Sequence, residues 1–233
     1  MGLRHEHANT GCVKLKCTRS GTTIELSTAE SNNDYSSGLT VILTVWKRNN
    51  LKEQLQALQN QTIRPNQIWV LQNEKYVNAE DIINKFPQVQ YIKSSINLKY
   101  FGRFSLAQYV NTKHVWILDD DVVPGKKWIE MCLNMQSVNS CIISCAGRRI
   151  PNETYYLGDR KDIFKYYYGD VSPGLAYHFC ENNTVVDFGC NGWFFEKKLI
   201  ELFWSTPPLN LEMSEDMHLS AICKLKLASK QLC

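Results

Sequence analysis

From Leu39 onward, short continuous apolar runs alternate with segments of helical period, and this alternation restricts the fold more than any other property of the chain. LTVILTVW carries no polar alternation, as a strand buried on both faces requires. RNNLKEQLQALQNQ follows, with Leu51, Leu55 and Leu58 on one helical face. After the break at Pro65, QIWVLQN reads as a second strand, AEDIINKF as a short helix and QYIKSS as a third strand. SLAQYVNT reads as a helix, and HVWILDDDVV as a fourth strand running into acid. WIEMCLNMQ is helical, with Trp128, Met131, Cys132 and Met135 at matching spacing, and CIISCAG is a fifth strand. Alternation sustained this long predicts an α/β domain with a mostly parallel central sheet, right-handed crossovers and flanking helices.

The flanks read differently. Residues 1–37 are rich in Ser, Thr and Asn, with no sustained apolar period, and predict a loosely structured N-terminal extension ahead of a domain over 38–233. Within the extension, VKLKC and TTIEL suit a short hairpin, and His5, His7, Cys12 and Cys17 match no zinc-finger spacing. Residues 148–184 are aromatic, polar and irregular, and a long irregular stretch inside a compact domain predicts a mobile functional flap. TVVDFG then resumes strand character, NGWFFEKKLIELFW reads as partly helical, and SEDMHLSAICKLKL reads as a last amphipathic helix.

Composition narrows the function classes. The 233 residues are 44% hydrophobic and 21% charged, an ordinary soluble balance that excludes a disordered or fibrous chain. The excess of 26 Lys and Arg over 23 Asp and Glu is only +3, too small to argue for nucleic acid as a partner. No apolar run approaches the ~18 residues of a transmembrane segment. The N-terminal residues lack a hydrophobic signal core, so the expected location is cytoplasmic. The nine cysteines lie mostly in apolar segments and read as buried, reduced thiols. The Asn-x-Thr patterns at Asn60, Asn152 and Asn182 are then expected to carry no glycan.

Chemistry concentrates in two acidic segments. Asp119, Asp120 and Asp121 end the apolar strand VWIL, and ligands of open α/β sheets bind at the carboxyl ends of strands. Three adjacent carboxylates repel one another. A divalent cation sharing phosphate oxygens relieves that repulsion, because hard cations prefer oxygen ligands. If the strand stays extended, Asp119 and Asp121 share one face and Asp120 points away. The second segment, Ser214-Glu215-Asp216, opens a helix, where a serine cap and first-turn acids are also ordinary features.

Taken in order, VILTVWKRNN, QIWVLQNE, VWILDDDVVPG, VVDFGCNGWFF and SEDMHLS resemble a GT-A (Rossmann-like) glycosyltransferase of the family-2 type over roughly residues 39–227. NLKYFGRF is similar to a segment of the C-terminal catalytic domain of exostosin-like enzymes. The resemblance implies a nucleotide-diphosphate sugar donor, a glycan or other hydroxyl acceptor, and Mn²⁺ or Mg²⁺. It implies that Thr44, Trp46 and Arg48 flank the nucleotide, with Asn73 and Glu74 near the base and Arg103 at the diphosphate. Asp119 and Asp120 belong to the donor side, and Asp121, with Asp119, to the metal. Gly189, Asn191, Gly192 and Trp193 are expected to shape the acceptor and sugar side. Asp216 is expected to be the base of an inverting reaction, with Glu215 as an orienting group; the exostosin-like likeness implies retention instead. His218, two residues beyond Asp216, does not share its helical face and receives no metal role. The chain stops soon after this helix, which fits one module of a larger glycosylation system.

Two other classes stay open on the residues. A metal-dependent nucleotidyltransferase expects a glycine-rich phosphate loop, whereas VWKRNNLKE has no glycine. A non-catalytic carbohydrate-binding domain of the same fold would use the aromatic stretch YYLGDRKDIFKYYYGD for stacking.

Overall fold

The computed structural model describes residues 12–16, 23–27, 36–138, 141–148, 185–227 and 230–232. The chain divides into two units, Met1–Ser36 and Ser37–Cys233. In the first, β1 (Cys12–Lys16) pairs antiparallel with β2 (Thr23–Ser27), as the two segments VKLKC and TTIEL suggest.

The second unit is built on an eight-stranded mixed sheet of order β5-β4-β3-β6-β9-β7-β10-β8. Its strands are β3 (Ser36–Val45), β4 (Gln67–Asn73), β5 (Val89–Ser94), β6 (Thr112–Leu118), β7 (Cys141–Arg148), β8 (Val185–Val186), β9 (Phe188–Glu196) and β10 (Lys230–Leu232). The helices are α1 (Leu51–Gln59), α2 (Glu80–Ile83), α3 (Phe101–Leu106), α4 (Trp128–Val138), α5 (Lys198–Trp204) and α6 (Glu215–Leu227). β3, β4 and β5 are parallel, with Val41 opposite Ile68 and Ile68 opposite Val89.

The continuous apolar run in β3 follows from cover on both faces. Val41, Leu43 and Val45 join Leu51, Leu55 and Leu58 of α1 in one core layer. Ile42 points the other way, into a layer with Phe104 of α3 and Phe203 of α5. His218 belongs to this second layer: its Nε2 lies 2.9 Å from the Phe203 carbonyl and its ring packs edge-on to the Phe203 ring. Cys132, Cys141 and Cys223 are buried thiols.

Two sequence expectations are corrected here. NGWFFEKKLIELFW, read as partly helical, is helical only over Lys198–Trp204, and NGWFFE is the end of β9, which inserts antiparallel between β6 and β7. Trp193 and Phe195 enter one core layer and Phe194 the other. An apolar run buried on both faces cannot be told from a buried helix by period alone. The helix expected over SLAQYVNT starts earlier, at Phe101, and decays into a 3₁₀ turn at Ala107–Tyr109. The expected flap lies outside the described residues beyond Arg148, which closes β7. Among the described residues, no helix is long and apolar enough to cross a membrane.

Candidate active site

The ends of β3, β4 and β6 open into one cleft of ≈ 700 Å³. Thr44 lines it from β3, Trp46 and Arg48 from the loop after β3, Asn73 from β4, and Asp119, Asp120 and Asp121 from the segment just beyond β6. Tyr100 and Arg103 of the α3 segment and Met213 before α6 complete the lining.

The acidic segment is held by its backbone as well as by ion pairs of its carboxylates with Arg103 and Arg48. Gln54 is buried within the leucine face of α1. Its Nε2 donates to the carbonyls of Asp119 at 2.7 Å and Val122 at 2.8 Å, and Asn50 Nδ2 donates to the Asp120 carbonyl at 3.3 Å. The Asp119 N–H donates to the Asn191 carbonyl of β9 at 3.2 Å. Extended geometry stops at Leu118, and Asp120 and Asp121 sit in a turn. The alternation expected from an extended strand is therefore corrected: Asp119 points to Arg103, whereas Asp120 and Asp121 both reach Arg48, at 2.5 and 3.1 Å.

The two arginines are held very differently. The Arg48 side chain is 54% exposed, and its bond to Asp120 raises its pKa above the ordinary arginine value against a small burial penalty. An exposed pair of this kind is worth about 0–1 kcal/mol and yields readily to a ligand. The Arg103 side chain is 5% exposed, with Nη1 bonded to Asp119 and Nη2 to Glu215 Oε1 at 2.8 Å. Removing one partner of a buried pair costs about 3–5 kcal/mol, so Arg103 is fixed. Burial pushes the Arg103 pKa down, but the Asp119 and Glu215 charges outweigh it and keep the guanidinium charged. Burial pushes both of those carboxyls up, opposed by Arg103. The diphosphate role expected for Arg103 thus meets a guanidinium whose two terminal nitrogens are already bonded.

At the β3 and β4 ends, Trp46 Nε1 donates to Glu74 Oε2 at 3.1 Å and meets Tyr76 edge-on with centroids 5.8 Å apart. Lys47 Nζ lies 4.0 Å from the Trp46 centroid and 4.8 Å from that of Tyr76. Asn73 is buried, and its Oδ1 accepts from the Leu98 N–H at 3.2 Å. Thr44, Trp46 and Asn73 thus all line the cleft, with Glu74 bonded to the Trp46 indole beside it.

The segment expected to shape the acceptor side is only partly available. Trp193 is 1% exposed, donates from Nε1 to the Gly189 carbonyl at 2.9 Å, and lies beneath Arg103, whose Cζ is 4.8 Å from its ring centroid. A Cβ on Gly192 would come within 2.9 Å of Cys145 Sγ and 3.2 Å of Leu118 Cδ1, so this glycine serves close packing behind the site. Trp193 and Gly192 are thus packed behind the cleft and do not line it. Asn191 adopts φ 65°, which turns its carbonyl to the Asp119 N–H.

Asp216 stands in the first turn of α6, where Oδ1 accepts from the Met217 N–H at 2.7 Å and Oδ2 lies 3.8 Å from Cys190 Sγ. A helix start favours a low pKa, but burial pushes this carboxyl up and outweighs the Met217 bond. Among the described residues the non-glycine positions with positive φ are Glu74, Lys99, Asn191 and Ser214. All four flank this region, and such strain, of order 1–3 kcal/mol each, gathers at functional sites.

Sequence reasoning passed over Gln54, Lys47, Tyr76 and Cys190. A signal existed for Gln54, an amide inside a leucine stripe. The others become neighbours of the site only through the fold.

Solved structures share this architecture. The crystal structure of S. aureus TarS 1-349 superposes with a TM-score of 0.56 at 14% identity, covering 83% of this chain and 57% of that one. The crystal structure of S. aureus TarS gives 0.55 at 14% identity, covering 83% and 35%. The complex of TarS 1-349 with UDP gives 0.51 at 14% identity, covering 78% and 54%. The chain thus spans little more than half of the shorter TarS chain, and the likeness is one of fold. No curated protein sequence matches the chain. The profile of the family described as Glycosyl transferase family 2 matches residues 40–203, the stretch that carries β3, β4, β6 and the acidic turn. That match covers most of the chain, which therefore belongs to glycosyl transferase family 2 and has the GT-A fold.

Proposed function

We propose that this domain transfers a sugar from a nucleotide-diphosphate sugar to a hydroxyl acceptor with inversion, assisted by Mg²⁺ or Mn²⁺. The observation that carries the reading is the convergence of the β3, β4 and β6 ends on a cleft edged by three consecutive carboxylates. Family membership and the UDP complex of TarS 1-349 support a nucleotide donor.

Asp120 and Asp121 offer hard oxygen donors at the cleft, released from Arg48 at little cost. Among the described residues, no group of three or more His, Cys, Asp and Glu side chains forms a closed metal cage. That donor set fits Mg²⁺ or Mn²⁺, which takes one or two carboxylates and completes its shell with substrate phosphates. Asp121, with Asp120, would hold the ion, whose charge would stabilise the leaving diphosphate.

The protein's own residues do the rest. Trp46 and Thr44 flank the nucleotide, and Arg48, freed from its carboxylates, offers a guanidinium to phosphate oxygens. Asp216 accepts the proton of the acceptor hydroxyl as that oxygen bonds to the anomeric carbon. The bond from that carbon to the diphosphate oxygen breaks, and the nucleoside diphosphate leaves. A carboxyl raised by burial is a better base near neutrality than an ordinary one.

The test is nucleoside diphosphate release from a panel of sugar nucleotides with Mn²⁺, followed by the anomeric configuration of the product. Release with an inverted product supports the reading. A retained product removes the role of Asp216, and no release from any donor removes the transferase.

A further inference from the structure

We infer that Arg103 is a positioning residue that ties the start of α6, and with it Asp216, to the end of β6, so that the donor side of the cleft and the base helix move as one unit. The inference rests on the transfer reading above. Arg103 joins residues far apart in the chain, Asp119 at the end of β6 and Glu215 in the first turn of α6. Glu215 directly precedes Asp216, so anchoring one sets the other. The guanidinium rests on the Trp193 ring at 4.8 Å and is flanked by Tyr100 and Phe104 at 5.8 Å, which limits it to one placement. Among the described residues its Nε is buried without a hydrogen-bond partner. The group is thus placed to span two carboxylates rather than to satisfy all its donors. A lysine ammonium is a point charge without the two-pronged fork needed to span them.

The experiment compares the wild type with Arg103→Lys, Glu215→Ala, Glu215→Gln and the double variant Arg103→Lys/Glu215→Ala. It reads amide hydrogen exchange over 214–218 with and without UDP and Mn²⁺, the affinity for UDP, and kcat and KM for the donor. The wild type should gain protection at 214–218 on binding UDP, passed on from Asp119 through Arg103 to Glu215. Arg103→Lys and Glu215→Ala should lose that transmitted protection and keep UDP affinity, with kcat lowered about 10²-fold, as for a misplaced catalytic group. Glu215→Gln keeps an oxygen for Nη2 and should retain the protection. The double variant should be no worse than the worse single one, since both break the same unit.

If Arg103→Lys loses UDP affinity with kcat unchanged, Arg103 is a donor ligand and the inference fails. It fails equally if Glu215→Ala keeps the transmitted protection, or if the two losses add. Should Arg103→Lys not fold, the two Glu215 variants carry the same test. If the wild type binds no nucleoside diphosphate, the transfer reading has failed. Faster exchange at 214–218 in free Glu215→Ala then still supports the tie, and unchanged exchange overturns it.

Discussion

Asp216 combines two opposing influences on one carboxylate. The helix start and the Met217 N–H favour its charge, while burial disfavours it and prevails. A base must be ionised to accept a proton, so activity falls as pH drops through the pKa of Asp216. Because that pKa is raised, the acid limb of the kcat/KM profile should lie above the ~3.9 of an unperturbed aspartate. Asp216→Asn keeps the shape and removes the basicity. It should leave UDP affinity intact and lower kcat by roughly 10²–10⁴, the range for loss of a general base. Normal turnover in this variant with a dead Glu215→Gln would reverse the two roles, and normal turnover in both would reduce the segment to a helix cap. The acidic identities here were legible in sequence, but their directions were not. Asp119, Asp120 and Asp121 diverge because β6 ends at Leu118 and the chain turns, and strand periodicity does not extend into a turn.

Among the elements, α1 links core to site. Its leucine stripe packs beneath β3, and Gln54, within the same face, holds the two carbonyls that shape the acidic turn. Gln54→Leu would keep the volume and strip a donor from two partly buried carbonyls, which costs up to about 1–3 kcal/mol. The expected result is a lower denaturation midpoint in urea together with weaker Mn²⁺-dependent UDP binding. Lost stability with unchanged binding would show that the turn holds its shape without Gln54. The strand β9 shows where sequence reading stops. Trp193, Phe194 and Phe195 are apolar without gaps because helices cover both faces of the sheet, and that cover erases the period-2 signal. Its antiparallel insertion between β6 and β7 depends on pairing with distant segments, which no local pattern carries.

Across the whole molecule, the alternation of strands and helices made the α/β class readable, and the order of strand-end motifs made the family readable. The buried tie through Arg103 was not legible, because residues 103, 119 and 215 meet only once the sheet has formed. The proposed transfer requires a metal-assisted donor site at the carboxyl ends of β3, β4 and β6. Asp120 makes the closer contact with Arg48, and Asp121 is the more exposed of the two at 31% against 20%. Asp121 is thus the freer ligand for a cation. The most direct measurement is a calorimetric titration of UDP in the presence of Mn²⁺ onto the wild type, Asp121→Ala and Asp120→Ala. Mn²⁺-dependent binding is expected for the wild type, with its abolition in Asp121→Ala and a smaller loss in Asp120→Ala. Binding that persists undiminished in Asp121→Ala, or a wild type that binds UDP equally well without a divalent ion, would contradict the proposed site.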